Sequence, residues 1–135
     1  MRIVYCIPAT SNSGGMERVL ARKVNYLTEL GHELIVITTD QCGASPFFPL
    51  NEAVQQYDLG INYDETNGQG ILAKLRSYPA KHRRHKQRLS ALLEELHADI
   101  VISMFGDDAT LLPKMKDGSR KVLEYHFSKL NVFFF

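Results

Sequence analysis

Apolar and polar positions alternate along this chain with two periods, and the switches between them mark out its elements. Arg2-Ile-Val-Tyr-Cys-Ile-Pro8 is a short apolar run that reads as a buried strand. Met16, Leu20, Val24, Leu27 and Leu30 then recur at roughly helical spacing, and the helix is predicted to stop at Gly31. A second apolar run, Leu34 to Thr39, begins at once. Gln41 to Asn51 is a loop carrying Phe47-Phe48-Pro49, and Ala53 to Leu59 alternates well enough for a third, shorter strand. Gly60 to Gly70 is polar and rich in Gly and Asn, as a loop would be. From about Ile71 to His97 the spacing predicts a helix, interrupted or kinked at Pro79, with Leu89, Leu92, Leu93 and Leu96 as its apolar stripe. Asp99 to Ser103 reads as a fourth strand, Ala109 to Met115 as a short helix, and Lys121 to Tyr125 as a fifth strand.

Strands alternating with helices predict an α/β fold: a Rossmann-like, doubly wound parallel sheet of about five strands in three α/β/α layers. In such a sheet ligands bind beyond the carboxyl ends of the strands, where the strand order reverses. With order 3-2-1-4-5 that crevice lies between strands one and four. Three loops converge on it: Ala9 to Arg18, Met104 to Asp108, and His126 to Lys129.

The first of these loops carries the strongest chemical signal, Ser13-Gly14-Gly15-Met16-Glu17-Arg18. Paired glycines at a strand-to-helix turn let a ligand approach the backbone. The helix then aims unpaired N–H groups and its positive dipole end at that ligand, which suits a phosphate. Neither a G-x-G-x-x-G pattern nor a P-loop lysine is present. The plainer alternative is that Gly14 and Gly15 only permit a tight turn. Ser11, Asn12 or Ser13 is expected to cap the helix. Glu17 suits the positive helix end or touches a substrate, and Arg18 is solvated or does the same. Of Asp107 and Asp108, one is expected to cap the following helix and the other to contact an acceptor hydroxyl. Asp40 ends strand two, where dinucleotide binders place a ribose-binding acid, but the third glycine of that motif is missing.

At 135 residues the chain supports one core rather than two full domains. A net charge of +1 gives no global pull toward nucleic acid or membrane. Cys6, inside the first strand, reads as a small core residue and Cys42 as a loop thiol. Together they make neither a disulfide framework nor a metal motif, so no metal and no cofactor are expected. The start lacks a signal-peptide layout and no segment is long enough to cross a bilayer, which makes the cytoplasm the expected compartment. Lys81-His-Arg-Arg-His-Lys-Gln-Arg88 is the strongest charge cluster. On a helix Lys81, Arg84 and Arg88 share a face, while His82 and His85 lie nearer the apolar stripe. That face is solvated or docks peripherally on anionic lipid at the inner face of a membrane. Nucleic acid is not expected, because no aromatics are interleaved with the basic residues.

The block from Gly14 to Asp40, GGMERVLARKVNYLTELGHELIVITTD, resembles the N-terminal domain of family 4 glycosyltransferases of the GT-B fold. Their first βαβ unit typically reads Gly-Gly-x-Glu-Arg, an apolar helix, then Gly-His-Glu and an apolar strand. The match is dense over residues 2 to 40 and looser beyond. The resemblance implies a retaining glycosyltransferase of polysaccharide biosynthesis. It would move a hexose from a nucleoside-diphosphate sugar to a glycan or lipid-linked acceptor, with Gly14 and Gly15 at the donor diphosphate. His126 matches a family histidine near the donor sugar, which implies a catalytic hydrogen bond to that sugar or to the acceptor rather than nucleophilic attack. On this reading residues 1–135 are an incomplete acceptor-side domain, since the family carries most donor contacts on a second domain. The terminal Val132-Phe-Phe-Phe135 would be an awkward exposed patch, and the chain alone is expected to be inactive. The alternative is a stand-alone, flavodoxin-like module that binds a nucleotide or phosphosugar without catalysis.

Overall fold

In a computed structural model, residues 1–63, 70–104 and 107–124 are described, together with the backbone of strand 132–134. The elements in chain order are β1 (Arg2–Cys6), α1 (Gly15–Glu29), β2 (Glu33–Thr38), β3 (Gln55–Asp58), α2 (Ile71–Leu96), β4 (Ile100–Ser103), β5 (Arg120–Glu124) and β6 (Val132–Phe134). One sheet holds them in the order β3-β2-β1-β4-β5-β6. The first five strands are parallel, with Val4 beside Ile35 and Val101, while β6 pairs antiparallel with β5. The strand order expected from the sequence is the one observed, and the fold is a Rossmann-like α/β sheet.

The alternation of β1 and β2 divides the core into two faces. Ile3, Tyr5, Ile7, Leu34 and Val36 meet Leu20 and Val24 of α1 on one face. Val4, Cys6, Ile35 and Ile37 meet Leu89, Leu93 and Leu96 of α2 on the other. β1 and β2 are therefore apolar on both sides, as a central parallel sheet requires. α1 ends as the sequence predicts, by a left-handed Gly31 at φ +96°, where a side chain would be strained. His32 N–H bonds to the Leu27 carbonyl at 3.2 Å and Gly31 N–H to that of Thr28 at 3.0 Å, a Schellman closure. Leu30 caps this end and is exposed, so it drops out of the expected apolar stripe.

Three elements differ from the sequence reading. α2 continues through Pro79 instead of breaking there. The carbonyl that Pro79 leaves without an N–H belongs to Leu75, an exposed residue that water can reach. The helix expected over 109–115 is two 3-10 turns, Asp107–Thr110 and Leu112–Lys114. Pro113 has no N–H to donate, so a continuous helix there would lack a bond. Finally, 132–134 form an edge strand that the sequence pattern did not announce.

Candidate functional site at the carboxyl edge of the sheet

β1 and β4 are neighbours, yet the chain leaves them toward opposite faces. α1 follows β1 onto one face, while Leu111, Leu112 and Met115 after β4 pack among the α2 residues on the other. This divergence opens the crevice that a doubly wound sheet uses for ligands.

The glycine turn lies on one wall. Gly14 is the N-cap of α1, at φ −72° and ψ 170°, and makes no side-chain cap. Ser11, Asn12 and Ser13 therefore do not cap the helix as expected. Neither Gly14 nor Gly15 has a left-handed φ, so the turn does not demand glycine for its backbone. What these glycines provide is space. A Cβ on Gly15 would meet nothing within 4 Å, whereas one on Gly14 would lie 2.5 Å from Glu17 Oε2. Glu17 thus folds back over the N-cap, with its carboxylate at the positive end of the dipole. The first intrahelical bond is Arg18 N–H to Gly14 O at 3.2 Å, which leaves the N–H groups of Gly15, Met16 and Glu17 without intrahelical acceptors.

Arg18 is exposed, as the solvated reading has it, and also meets an aromatic ring. Its guanidinium lies 5.5 Å from the Phe48 ring centroid. With Arg22, Asn25 and Pro49 it lines an open groove of about 500 Å³. The 47–51 loop that forms this wall is held by Phe47 N–H to Thr10 O at 2.8 Å and by Asn25 Nδ2 to Pro49 O at 3.0 Å.

The other wall holds a polar and aromatic cluster that sequence reasoning missed. Tyr63 Oη and His85 Nδ1 are 2.8 Å apart, and the Tyr63 N–H donates to Asp40 Oδ1 at 3.1 Å. Tyr78 stacks on His82 at 5.5 Å and donates to Asp107 Oδ1 at 3.3 Å. Asp40 therefore anchors the segment that follows β3. The signal available in the sequence was His82 and His85 set three apart beside the apolar stripe of a helix. Burial pushes the Tyr63 phenol up and holds His85 down at about 4.

No α-helix follows Asp107 and Asp108 for either to cap, since two 3-10 turns stand there. Asp107 is partly exposed at the edge, whereas Asp108 is buried with its Oδ2 lacking a hydrogen-bond partner among the described residues. Burial raises the Asp108 carboxyl to about 6, against a hydrogen bond from Ser103 that lowers it. A raised carboxyl binds its proton more tightly in the folded state, so this group lowers stability as pH climbs from about 4 to about 6. His85 acts in the opposite sense over its own interval, which makes the wild-type profile a partial cancellation. Asp108→Asn is expected to stabilise the fold by about 2–3 kcal/mol at pH 7.5 and by little at pH 4. Urea unfolding of both proteins at the two pH values checks this, and an equal gain at both would contradict it.

Of the basic row, Lys81 departs from the expected solvated face, while Arg84 and Arg88 are exposed. Lys81 is buried and its Nζ donates to Asn62 O at 2.8 Å, while Arg88 donates to the carbonyls of Leu59 and Gly60. These two residues fasten the segment leading from β3 toward α2, and Arg84 alone of the three stands free of it in solvent. Cys6 is buried and Cys42 exposed, as read from the sequence.

At the end of β5, buried Glu124 accepts from Lys23 Nζ at 2.9 Å and from the Tyr5 hydroxyl, tying β5 and β1 to α1. The His126–Lys129 loop, including the expected catalytic His126, lies outside the described residues. Among the described residues no group of three or more His, Cys, Asp or Glu is placed to hold a metal ion. No described helix is long and apolar enough to cross a membrane.

The strand order and crevice define a Rossmann-like α/β domain with an uncapped glycine turn at its switch point. No family model matches the chain, and no curated protein matches it. Among solved structures it is similar to a UDP-galactose 4-epimerase, with a TM-score of 0.37 and 18% identity over 77% of this chain. The chain spans 37% of the length of that structure.

Proposed function

We propose that this chain is the acceptor-side domain of a retaining glycosyltransferase that moves a hexose from a nucleoside-diphosphate sugar to a glycan or lipid-linked acceptor in the cytoplasm. The observation that carries the reading is the uncapped start of α1 at the switch point, with open space above Gly15. The resemblance of Gly14 to Asp40 to family 4 glycosyltransferases gives that site its ligand. The diphosphate sits on the N–H groups of Gly15, Met16 and Glu17, and the Glu17 carboxylate swings away as it binds. The dipole and these donors then stabilise the charge on the departing nucleoside diphosphate. Asp107 and Tyr78 face the acceptor side, and His126 hydrogen-bonds the transferring sugar.

A panel of nucleoside-diphosphate hexoses tests this, with release of nucleoside diphosphate and product anomeric configuration as readouts. A protein joining this domain to a second, donor-binding Rossmann-like domain is expected to transfer with retention, and the 135-residue chain to transfer nothing. Comparable turnover by the 135-residue chain would remove the two-domain reading. Tight phosphosugar binding by the 135-residue chain alone, without turnover in any two-domain protein, would favour a stand-alone binding module instead.

A further inference from the structure

Arg18 and Arg22 lie one turn apart on α1, opposite Leu20 and Val24, which face the sheet. Like charges at this spacing repel, and among the described residues neither guanidinium has an ion pair or a hydrogen bond. Arg18 meets the Phe48 ring, a contact that uses none of its N–H donors. The whole chain carries a net charge of only +1, so the pair is a local concentration of charge.

The wall facing this pair is fixed by the chain itself. Asn25 uses both ends of its amide on the loop, Nδ2 donating to Pro49 O at 3.0 Å and Oδ1 accepting from the Asn51 N–H at 2.6 Å. The bond from Phe47 N–H to Thr10 O holds the same loop further back. Phe48 and Pro49 therefore stand in place without a ligand. Ala21, at the seam between helix and loop, adds only a methyl, and the groove keeps about 500 Å³. That volume suits a small molecule.

The chemistry of the lining selects the occupant. No carboxylate and no imidazole lines the groove, so it draws an anion. A single guanidinium satisfies one carboxylate with paired N–H groups, whereas two call for an anion of about twice that charge. A phosphate monoester, with a charge of about −1.5 to −2 and three acceptor oxygens, spans both. Phe48 and Pro49 then suit an organic ring carried on that phosphate. A long polyanion does not fit. Beyond Asn25 the same face continues with Glu29, and Lys23 lies on another face, paired with Glu124.

We propose that this groove binds a phosphate monoester, with the dianionic head on Arg18 and Arg22 and the organic ring against Phe48 and Pro49. The site is separate from the amides at the start of α1, so it stands whichever reaction the chain serves.

Titration of the ¹⁵N-labelled chain with phenyl phosphate at pH 7.5 tests it, read at the Nε–H resonances of Arg18 and Arg22 and the amides of Ala21 and Asn25. Saturable shifts are expected, with inorganic phosphate binding more weakly and phenol not at all. At pH 5 the ester has lost most of its second charge while both guanidiniums keep theirs, so affinity should fall severalfold. Arg22→Gln should weaken binding about tenfold, the scale of one hydrogen bond between charged groups. Arg18→Gln combined with Arg22→Gln should abolish it without moving the melting temperature, because both residues are exposed. Gly15→Val should bind phenyl phosphate as the parent does. Competition by adenosine 5′-monophosphate would assign the ester to a nucleoside, and its failure to compete would assign it to a smaller aryl body, the phosphate site standing in both cases. Absent binding, equal binding of phenol, binding retained by the double variant, or a response confined to the amides of Gly15 to Glu17 would overturn the proposal. The last of these would leave the diphosphate reading standing.

Discussion

Leu93→Ala is expected to destabilise the fold by about 3–5 kcal/mol, the upper part of the range for truncating a buried leucine. Leu93 is fully buried on α2 and packs in the cluster with Val4, Ile35, Val101 and Leu112, so the cavity opens between the helix and three strands. Such interiors relax only partly, and the loss of contacts adds to the loss of burial. Against a total stability of about 5–15 kcal/mol, the variant should melt about 10 °C or more below the parent. Leu72→Ala on the same helix is the control: that side chain is exposed, and the change should stay within about 0.5 kcal/mol. Thermal melts of the two variants decide the matter. A cost below about 1 kcal/mol at Leu93 would mean that α2 does not cover this face.

Gly15→Val should separate function from stability more sharply than any other change. The first residue of a helix tolerates valine, Gly15 has no left-handed φ, and its Cβ would enter open space. The melting temperature should therefore barely move. The open space is where the diphosphate is placed, and a branched side chain there blocks the approach to the α1 N–H groups. In a two-domain enzyme transfer should fall by about 10²–10³-fold, or ~3–4 kcal/mol, the scale for losing one preorganised donor to a developing charge. Gly14→Ala is the informative neighbour. Its Cβ collides only with the flexible end of Glu17, so it should displace that carboxylate at little cost. Near-normal transfer by the Gly15→Val enzyme would show that Gly15 does not face the donor.

The elements made by periodic burial were the legible ones. β1, β2 and β4 are apolar runs because a central parallel strand is covered on both faces, and α1 shows its stripe and its Gly31 stop for equally local reasons. The strand order followed from connection rules rather than from any residue. What escaped the sequence depends on contacts between distant segments. Lys81 and Arg88 look like surface cations until the carbonyls of Leu59, Gly60 and Asn62 are brought beneath them. Asp108 looks like a cap until the fold buries it and hydrogen-bonds it to Ser103 at the end of β4. Tyr63, Tyr78, His82 and His85 are spread over 23 residues of chain, and only the packing of α2 on the edge gathers them. β6 was missed because it spans three residues, too few for a period to be read.

The central claim is that a diphosphate sits on the amides at the start of α1. The most direct measurement is a titration of the ¹⁵N-labelled chain with a nucleoside diphosphate, followed by the amide resonances of Gly15, Met16 and Glu17. These three are predicted to shift together and saturably, with weak affinity, and to stop responding in the Gly15→Val protein. Saturable shifts confined to other segments, such as the Arg18–Arg22 groove, with Gly15 to Glu17 unmoved, would contradict the account.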